Sequence, residues 1–235
     1  MKKFGIIGAM EDEVESLKAR MEIARIVTRA GMDFFEGRLG HTEAVVVRSG
    51  VGKVNAGICV QILADLFQTD CIINTGAAGS LDSRIDIGDI VISTDAVYHD
   101  VDAVIFGYQP GEVPQLGCRE FIADAGLADR LSRVCREVNP DLQVFMGRIV
   151  SGDQFISDPS VKERITRDFQ GLCTEMEGAA IAQAAYLNQL PFVIIRAISD
   201  KADGSAMMEY PEFERKAAQD CARLTAAFLE SLPQA

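Results

Sequence analysis

Histidine is nearly missing from this chain, with only His41 and His99 among 235 residues. The six cysteines, Cys59, Cys71, Cys118, Cys135, Cys173 and Cys221, contain no C-x-x-C pair, so metal-ligand spacing is absent and neither a metal nor a cofactor is expected. Most of these cysteines sit among apolar neighbours, which suits reduced, buried thiols in a cytoplasmic protein better than a disulfide framework. No stretch approaches the roughly 18–20 apolar residues that span a bilayer, and carboxylates interrupt the apolar start MKKFGIIGAMEDEV before any cleavage site. Neither a membrane span nor a signal peptide is read. Basic residues are scarce, 23 Lys and Arg against 35 Asp and Glu, for a formal net charge of −12. Nucleic-acid binding draws its affinity from cations on phosphates, so that partner is not expected.

What is present fits a folding chain. Hydrophobic residues make up 48% and charged residues 25%, near the globular average, and the length suits one domain over residues 1–235. Short apolar runs read as buried strands over Phe4–Ala9, Ala44–Arg48, Cys71–Thr75, Ile90–Thr94, Val144–Val150 and Phe192–Ile198. Helical spacing appears over Lys53–Phe67, Leu127–Val138, Gly178–Leu187 and Pro211–Leu232. Phe34–Leu39 and Ala44–Arg48 flank Gly40-His41-Thr42 as a hairpin, so the predicted class is α/β with a mixed sheet. The segment His99–Gly117 has no Lys or Arg and carries Phe106 and Tyr108; a self-packed surface loop and a partner-facing loop are both open readings.

Two glycine clusters and three acidic sites carry the chemistry. Gly50-Val51-Gly52-Lys53 follows a strand and opens a helix, but Asp70 sits at the wrong end of the next strand for a dinucleotide site, and Val54 replaces the hydroxyl of a phosphate-binding loop. A tight turn remains, able to line a pocket. Asn74-Thr75-Gly76-Ala77-Ala78-Gly79 ends a strand with small residues that permit close main-chain approach. Glu11-Asp12-Glu13 follow the first strand, where acids commonly cap a helix. Glu175-Met176-Glu177 lie between apolar and small residues, so at least one glutamate is shielded and needs a partner or a proton. Arg196 lies inside the apolar run that Asp200 closes, and these glutamates are its candidate partners.

The order of segments GIIGAMEDEV, SGVGKVNA, IINTGAAG, VSGDQFI, EMEGAA and RAISD closely resembles that of the 5′-methylthioadenosine/S-adenosylhomocysteine nucleosidases, over nearly the whole chain. The resemblance implies a phosphorylase/nucleosidase-type fold, a three-layer arrangement with a mixed twisted central sheet flanked by helices, and a homodimer. It also implies hydrolysis of the N-glycosidic bond of small 5′-thioadenosines, releasing adenine and the thioribose in methionine salvage and methyl-cycle detoxification. By the same resemblance Glu13 activates the attacking water, and Asp200, with Ser199 beside it, protonates adenine N7. Glu177 takes ribose hydroxyls, Met176 walls the sugar, and Arg196 partners the water and the acids. Phe155 stacks on adenine while the Ile156 main chain reads its edge; Met10, Val51 and Tyr210 fall at pocket-wall positions. Phe106 and Pro114 match residues lent by the neighbouring subunit, which tips the loop towards an interface. Ala77, Gly79 and Glu175 complete the expected substrate-binding set.

Two positions depart from the pattern. Ala77 stands where some relatives carry a hydroxyl, and Tyr210 where phenylalanine is frequent. Phosphorolysis is disfavoured because the acids after Gly8-Ala9-Met10 and the absence of an arginine beside Gly76 leave phosphate without positive charge. A nucleoside-binding protein without chemistry, and a sister hydrolase for aminodeoxyfutalosine, are the other readings.

Overall fold

The computed structural model describes residues 2–202 and 210–233, the side chains of 210–212 lying outside the description. Among the described residues ten strands run in chain order as β1 (Phe4–Gly8), β2 (Glu22–Arg29), β3 (Met32–Leu39), β4 (Thr42–Arg48), β5 (Cys71–Ser80), β6 (Ile90–Tyr98), β7 (Phe121–Ile122), β8 (Val144–Ser151), β9 (Cys173–Glu175) and β10 (Phe192–Asp200). Six α-helices join them: α1 (Glu15–Arg20), α2 (Lys53–Asp65), α3 (Ala125–Val138), α4 (Pro159–Phe169), α5 (Gly178–Leu187) and α6 (Tyr210–Glu230).

The sheet is mixed, and part of it closes on itself. β2, β3 and β4 form an antiparallel meander whose last strand runs parallel to β1, and β1 runs parallel to β5. From β5 the pairing continues through β10, β6, β8 and β9 and returns to β5, making a five-stranded ring. The ten-residue β5 belongs to both parts. Its pairing with β1 ends at Asn74, and its pairing with β9 begins only at Gly79. Between those points one side of β5 has no strand beside it, and that gap lies at the carboxyl end of β1, where ligands of open α/β sheets gather.

Strand alternation sends side chains to two cores. Ile7, Ile72 and Ile194 pack with Ala56, Leu63 and Ile181 of α2 and α5 on one face. Ile6, Ile73, Val193 and Ile195 pack with Leu17, Leu131, Leu224 and Phe228 of α1, α3 and α6 on the other. Buried on both faces, β1 and β10 read as continuous apolar runs, as parallel central strands do. A smaller cluster of Val97, Val150, Ile165 and Phe169 seats α4 over the ring. The 99–117 segment crosses the surface with one 3₁₀ turn at Val104–Phe106. Among the described residues no helix is long and apolar enough to cross a membrane.

The ranges read from the sequence leave out β2, β7, β9, α1 and α4. β2 is exposed at nearly every position, β9 is three residues long, and α4 follows the Asp158-Pro159 start that caps it. The first core also has an aromatic keystone: Phe34 is fully buried and its ring stacks on Phe67 with centroids 5.1 Å apart. Phe34→Ala is expected to lower unfolding stability by about 3–5 kcal/mol, read as a shifted midpoint in urea; a loss under about 1 kcal/mol would show that the core refills the space.

Candidate active site

Glu13 occupies the gap beside β5. The chain leaves β1 at Gly8 and makes a 3₁₀ turn over Glu11–Glu13, which points the Glu13 carboxylate back at the strand ends. One oxygen accepts from the N–H groups of Ala9 and Met10 at 2.6 and 3.0 Å, and the other accepts from Ala77 N–H at 3.1 Å. Gly76 makes the approach possible, because a Cβ there would stand 2.8 Å from the Glu13 carboxyl carbon. Burial raises the proton affinity of Glu13 above the ordinary carboxylate range, while the Arg196 charge and the three N–H donors pull part of it back.

Asp200 stands on the other side of the same strand. It ends β10 opposite Gly79 of β5, and a Cβ on Gly79 would lie 2.8 Å from one Asp200 oxygen. That oxygen accepts from Ala202 N–H at 2.7 Å, and the second accepts from the Ser199 hydroxyl at 3.0 Å. The glycines of the 74–79 stretch therefore each make room for one acid.

Glu175 and Glu177 are both buried, yet they do different things. Glu175 accepts from the Ser151 hydroxyl, from the N–H groups of Glu177 and Gly178, and from Arg196. Its oxygens are taken up by protein, so it fastens the start of α5 and the guanidinium rather than offering itself outward. Arg196 is 2% exposed and also donates to the Asn74 side chain, so it lies beneath the pocket. Removing one partner of such a buried pair costs about 3–5 kcal/mol. Glu177 accepts a single N–H, from Gly52 at 2.8 Å. Burial, reinforced by the neighbouring Glu175 charge, pushes its carboxyl up to about 8.

Glu13, Glu177 and Asp200 line one cavity of about 210 Å³. Met10, Val51, Ala77, Gly79, Phe155, Glu175, Met176 and Ser199 line it too, and Ile156 lines a small recess that adjoins it past Phe155 and Asp200. No Lys, Arg or His appears on the described lining of either space. Phe106 and Pro114 are not brought here; both are exposed on the 99–117 segment. Tyr210 opens α6, but its side chain lies outside the described residues. Sequence reasoning missed Ser151, Asn74 and the Gly52 N–H, whose partners are 24, 122 and 125 positions away. It also missed Thr174 and Glu214 on the lining, and the position of Thr174 beside Glu175 was the one available hint.

A cavity of about 490 Å³ opens elsewhere, lined by Lys2, His41, Arg130 and Arg133 with Asp124 the one acid among the described residues. It is larger, but none of the convergent carboxylates reaches it, so size alone does not locate the chemistry.

The raised affinity of Glu177 makes stability depend on pH. Between its ordinary value of 4.5 and about 8 the folded chain keeps a proton that the unfolded chain has lost. Folding is therefore favoured at the acid side of that window, and stability falls as pH rises through it, by at most about 1.4 kcal/mol per pH unit. Glu177→Gln, neutral throughout, is expected to flatten the decline in a urea series from pH 5 to 8.5; equal slopes for both proteins would refute the assignment.

Comparison with known proteins gives the arrangement a family. The family model described as phosphorylase superfamily matches residues 3–230. A 5′-methylthioadenosine/S-adenosylhomocysteine nucleosidase of Halalkalibacterium halodurans is 43% identical over 233 residues, 99% of this chain and all of its own. The enzyme of that name from Neisseria meningitidis, solved with methylthio-immucillin-A, superposes with a TM-score of 0.94 at 40% identity, covering 99% of this chain and 100% of the other. Its counterpart from Colwellia psychrerythraea, solved with adenine, also gives 0.94, at 36% identity over 99% and 96% of the two chains. With a buried triad of carboxylates at the switch point of this mixed sheet, the chain belongs to the 5′-methylthioadenosine/S-adenosylhomocysteine nucleosidases of the phosphorylase superfamily.

Proposed function

We propose that the protein hydrolyses the N-glycosidic bond of 5′-methylthioadenosine and S-adenosylhomocysteine, releasing adenine and the 5′-thioribose. The observation that carries this reading is the convergence of Glu13, Glu177 and Asp200 on one cavity without a cation on its described lining. Adenine leaves poorly as an anion, so Asp200 gives a proton to N7 as the bond stretches. The ribose acquires oxocarbenium character, and Glu177 takes its hydroxyls; the positive charge developing beside it favours the ionised form of a carboxyl that its buried setting holds protonated up to about 8, and that ionised form stabilises the charge. Glu13, held by three N–H groups, removes the proton from the attacking water, a form of help typically worth 10²–10⁴-fold. Phe155 offers its ring to the base, the Ile156 main chain reads the base edge, and Met176, Met10 and Val51 wall the sugar and the thio group. Glu175 and Arg196 act from beneath, by positioning.

No metal or cofactor enters these steps. Phosphorolysis would need a cation for the incoming anion, and the buried Arg196 is already engaged by Glu175 and Asn74. Five free, buried thiols and one partly exposed are compatible with a reducing, cytoplasmic setting. The decisive assay follows adenine release from methylthioadenosine with and without phosphate. Release is expected to be independent of phosphate, and Asp200→Asn and Glu13→Gln are each expected to lower kcat by about 10²–10⁴-fold with the fold intact. Phosphate-dependent release, or full activity in either variant, would refute the mechanism.

We further propose a homodimer in which the 99–117 segment of one subunit closes the pocket of the other, through Phe106 and Pro114. Supporting this, Ile105 and Phe106 are 89% and 81% exposed. Beside them lies a groove of about 370 Å³ with an apolar rim that includes Val54, Val101, Val113 and Leu187. Exposed apolar surface of this kind marks an interaction site. Sedimentation is expected to give twice the chain mass, and the pair of substitutions Ile105→Asp and Phe106→Asp to give monomers with raised KM; a wild-type monomer of full activity excludes the interface.

A further inference from the structure

Lys53 is the point at which two walls of the pocket are tied together. Its ammonium lies 2.6 Å from an Asp100 oxygen and 3.8 Å from an Asp153 oxygen. The same Asp100 oxygen accepts from Asp153 N–H at 2.9 Å, and Asp153 in turn accepts from the Lys53 backbone N–H at 2.8 Å. Three residues from the start of α2, the end of β6 and the loop after β8 thus close a ring of polar contacts. An exposed ion pair does little by itself. Here the pairs enclose two backbone N–H groups, and the Lys53 and Asp100 side chains are mostly buried.

The ring sits one residue from one functional group and two from another. Gly52 precedes Lys53 and supplies the one N–H that Glu177 accepts. Phe155 and Ile156 follow Asp153 and line the base-side wall. Gly52 has φ +95, which other residues rarely adopt, and a Cβ on it would stand 3.1 Å from an Asp153 oxygen, so the carboxylate packs directly against the turn. Beneath the loop the His99 ring presses on Gly152, where a Cβ would lie 2.6 Å from Nε2. Burial lowers the proton affinity of His99, so Lys53 is the cation of this ring.

We propose that Lys53, with Asp100 and Asp153, is a positioning clamp that holds the ribose-side turn to the base-side loop and keeps the Gly52 N–H on Glu177. The proposal rests on the hydrolase reading of the pocket. Through this clamp a lysine that touches no lining carboxylate acts on the chemistry: loosening it moves Glu177 and the adenine wall together. Misplacement of a reacting group by about 1 Å costs on the order of 10²-fold in rate.

The test uses the full-length protein with Lys53→Met, and with Asp153→Ala as a second route to the same clamp should the first fail to fold. Two quantities are read: kcat/KM on methylthioadenosine, and the titration midpoint of the Glu177 carboxyl by carbon-13 NMR, assigned with Glu177→Gln. The charged and polar groups facing that carboxyl are Glu175 of β9, Arg196 of β10, Glu13 after β1 and the Gly52 N–H. Losing only the last removes a hydrogen bond to the charged form, so the midpoint is expected to rise from about 8 by about one to two pH units. In parallel kcat/KM is expected to fall about tenfold to a hundredfold, and Lys53→Arg, which keeps the charge, is expected to restore both. A lowered melting temperature with either quantity unchanged would overturn the clamp. Absence of adenine release from the wild type would instead sink the hydrolase reading, while the NMR midpoint would still report on the clamp.

Discussion

One buried guanidinium is surrounded by more carboxylate than it can neutralise. Arg196 answers Glu175 directly, leaving Glu13 and Glu177 to feel it only at a distance. Burial raises the proton affinity of both remaining glutamates, and among the described residues neither meets a second cation. Their charge is carried instead by main-chain N–H groups: three for Glu13 and one for Glu177. Backbone donors are fixed in direction and cannot themselves lose a proton, so they hold an acid in place without quenching it as a base. The two acids thus differ in how many donors hold them, and each such hydrogen bond works against the rise that burial imposes.

Those donors exist because strands part company. The N–H of Ala77 is available to Glu13 because β1 stops pairing with β5 at Asn74 and β9 starts at Gly79. A continuous strand beside β5 would occupy that side of its backbone. Closure of the ring therefore does chemical work: it bends β5 from one neighbour to another and leaves a short gap where an acid fits. Gly76 and Gly79 admit the carboxyl groups, and the side chains of a larger residue at either position would collide with them. The fold makes the site by leaving something out.

Much of this was legible from the residues, and the remainder was illegible for physical reasons. Apolar runs identified β1, β5 and β10 because strands buried on both faces carry little polar punctuation. β2 was invisible because an edge strand exposed along its length, EIARIVTR, has no buried face to betray its period. The acids could be singled out because each sits next to a strand end or small residues, where a solvated face is an uneasy explanation. Their convergence could not, since it depends on pairings between segments more than 100 residues apart, such as Gly52 with Glu177. Family resemblance supplied the order of motifs and gave the ribose hydroxyls to Glu177, but not the contacts that set Glu175 and Glu177 apart. That division is a matter of donors: Glu175 collects a hydroxyl, two N–H groups and the guanidinium, and Glu177 is left with one.

The same excess of acid selects the nucleophile. Two like unit charges 5 Å apart repel by about 3 kcal/mol at an effective dielectric of 20, so each ionised acid of the pocket would oppose an incoming phosphate. The nearest cation is 2% exposed and already bonded to Glu175, so no positive group on the described lining offsets that repulsion. Water carries no charge into the site and, on the proposed mechanism, finds a base in Glu13. A phosphorylase and a hydrolase can therefore share this sheet and its switch point. In this chain a carboxylate, that of Glu13, fills the gap beside β5.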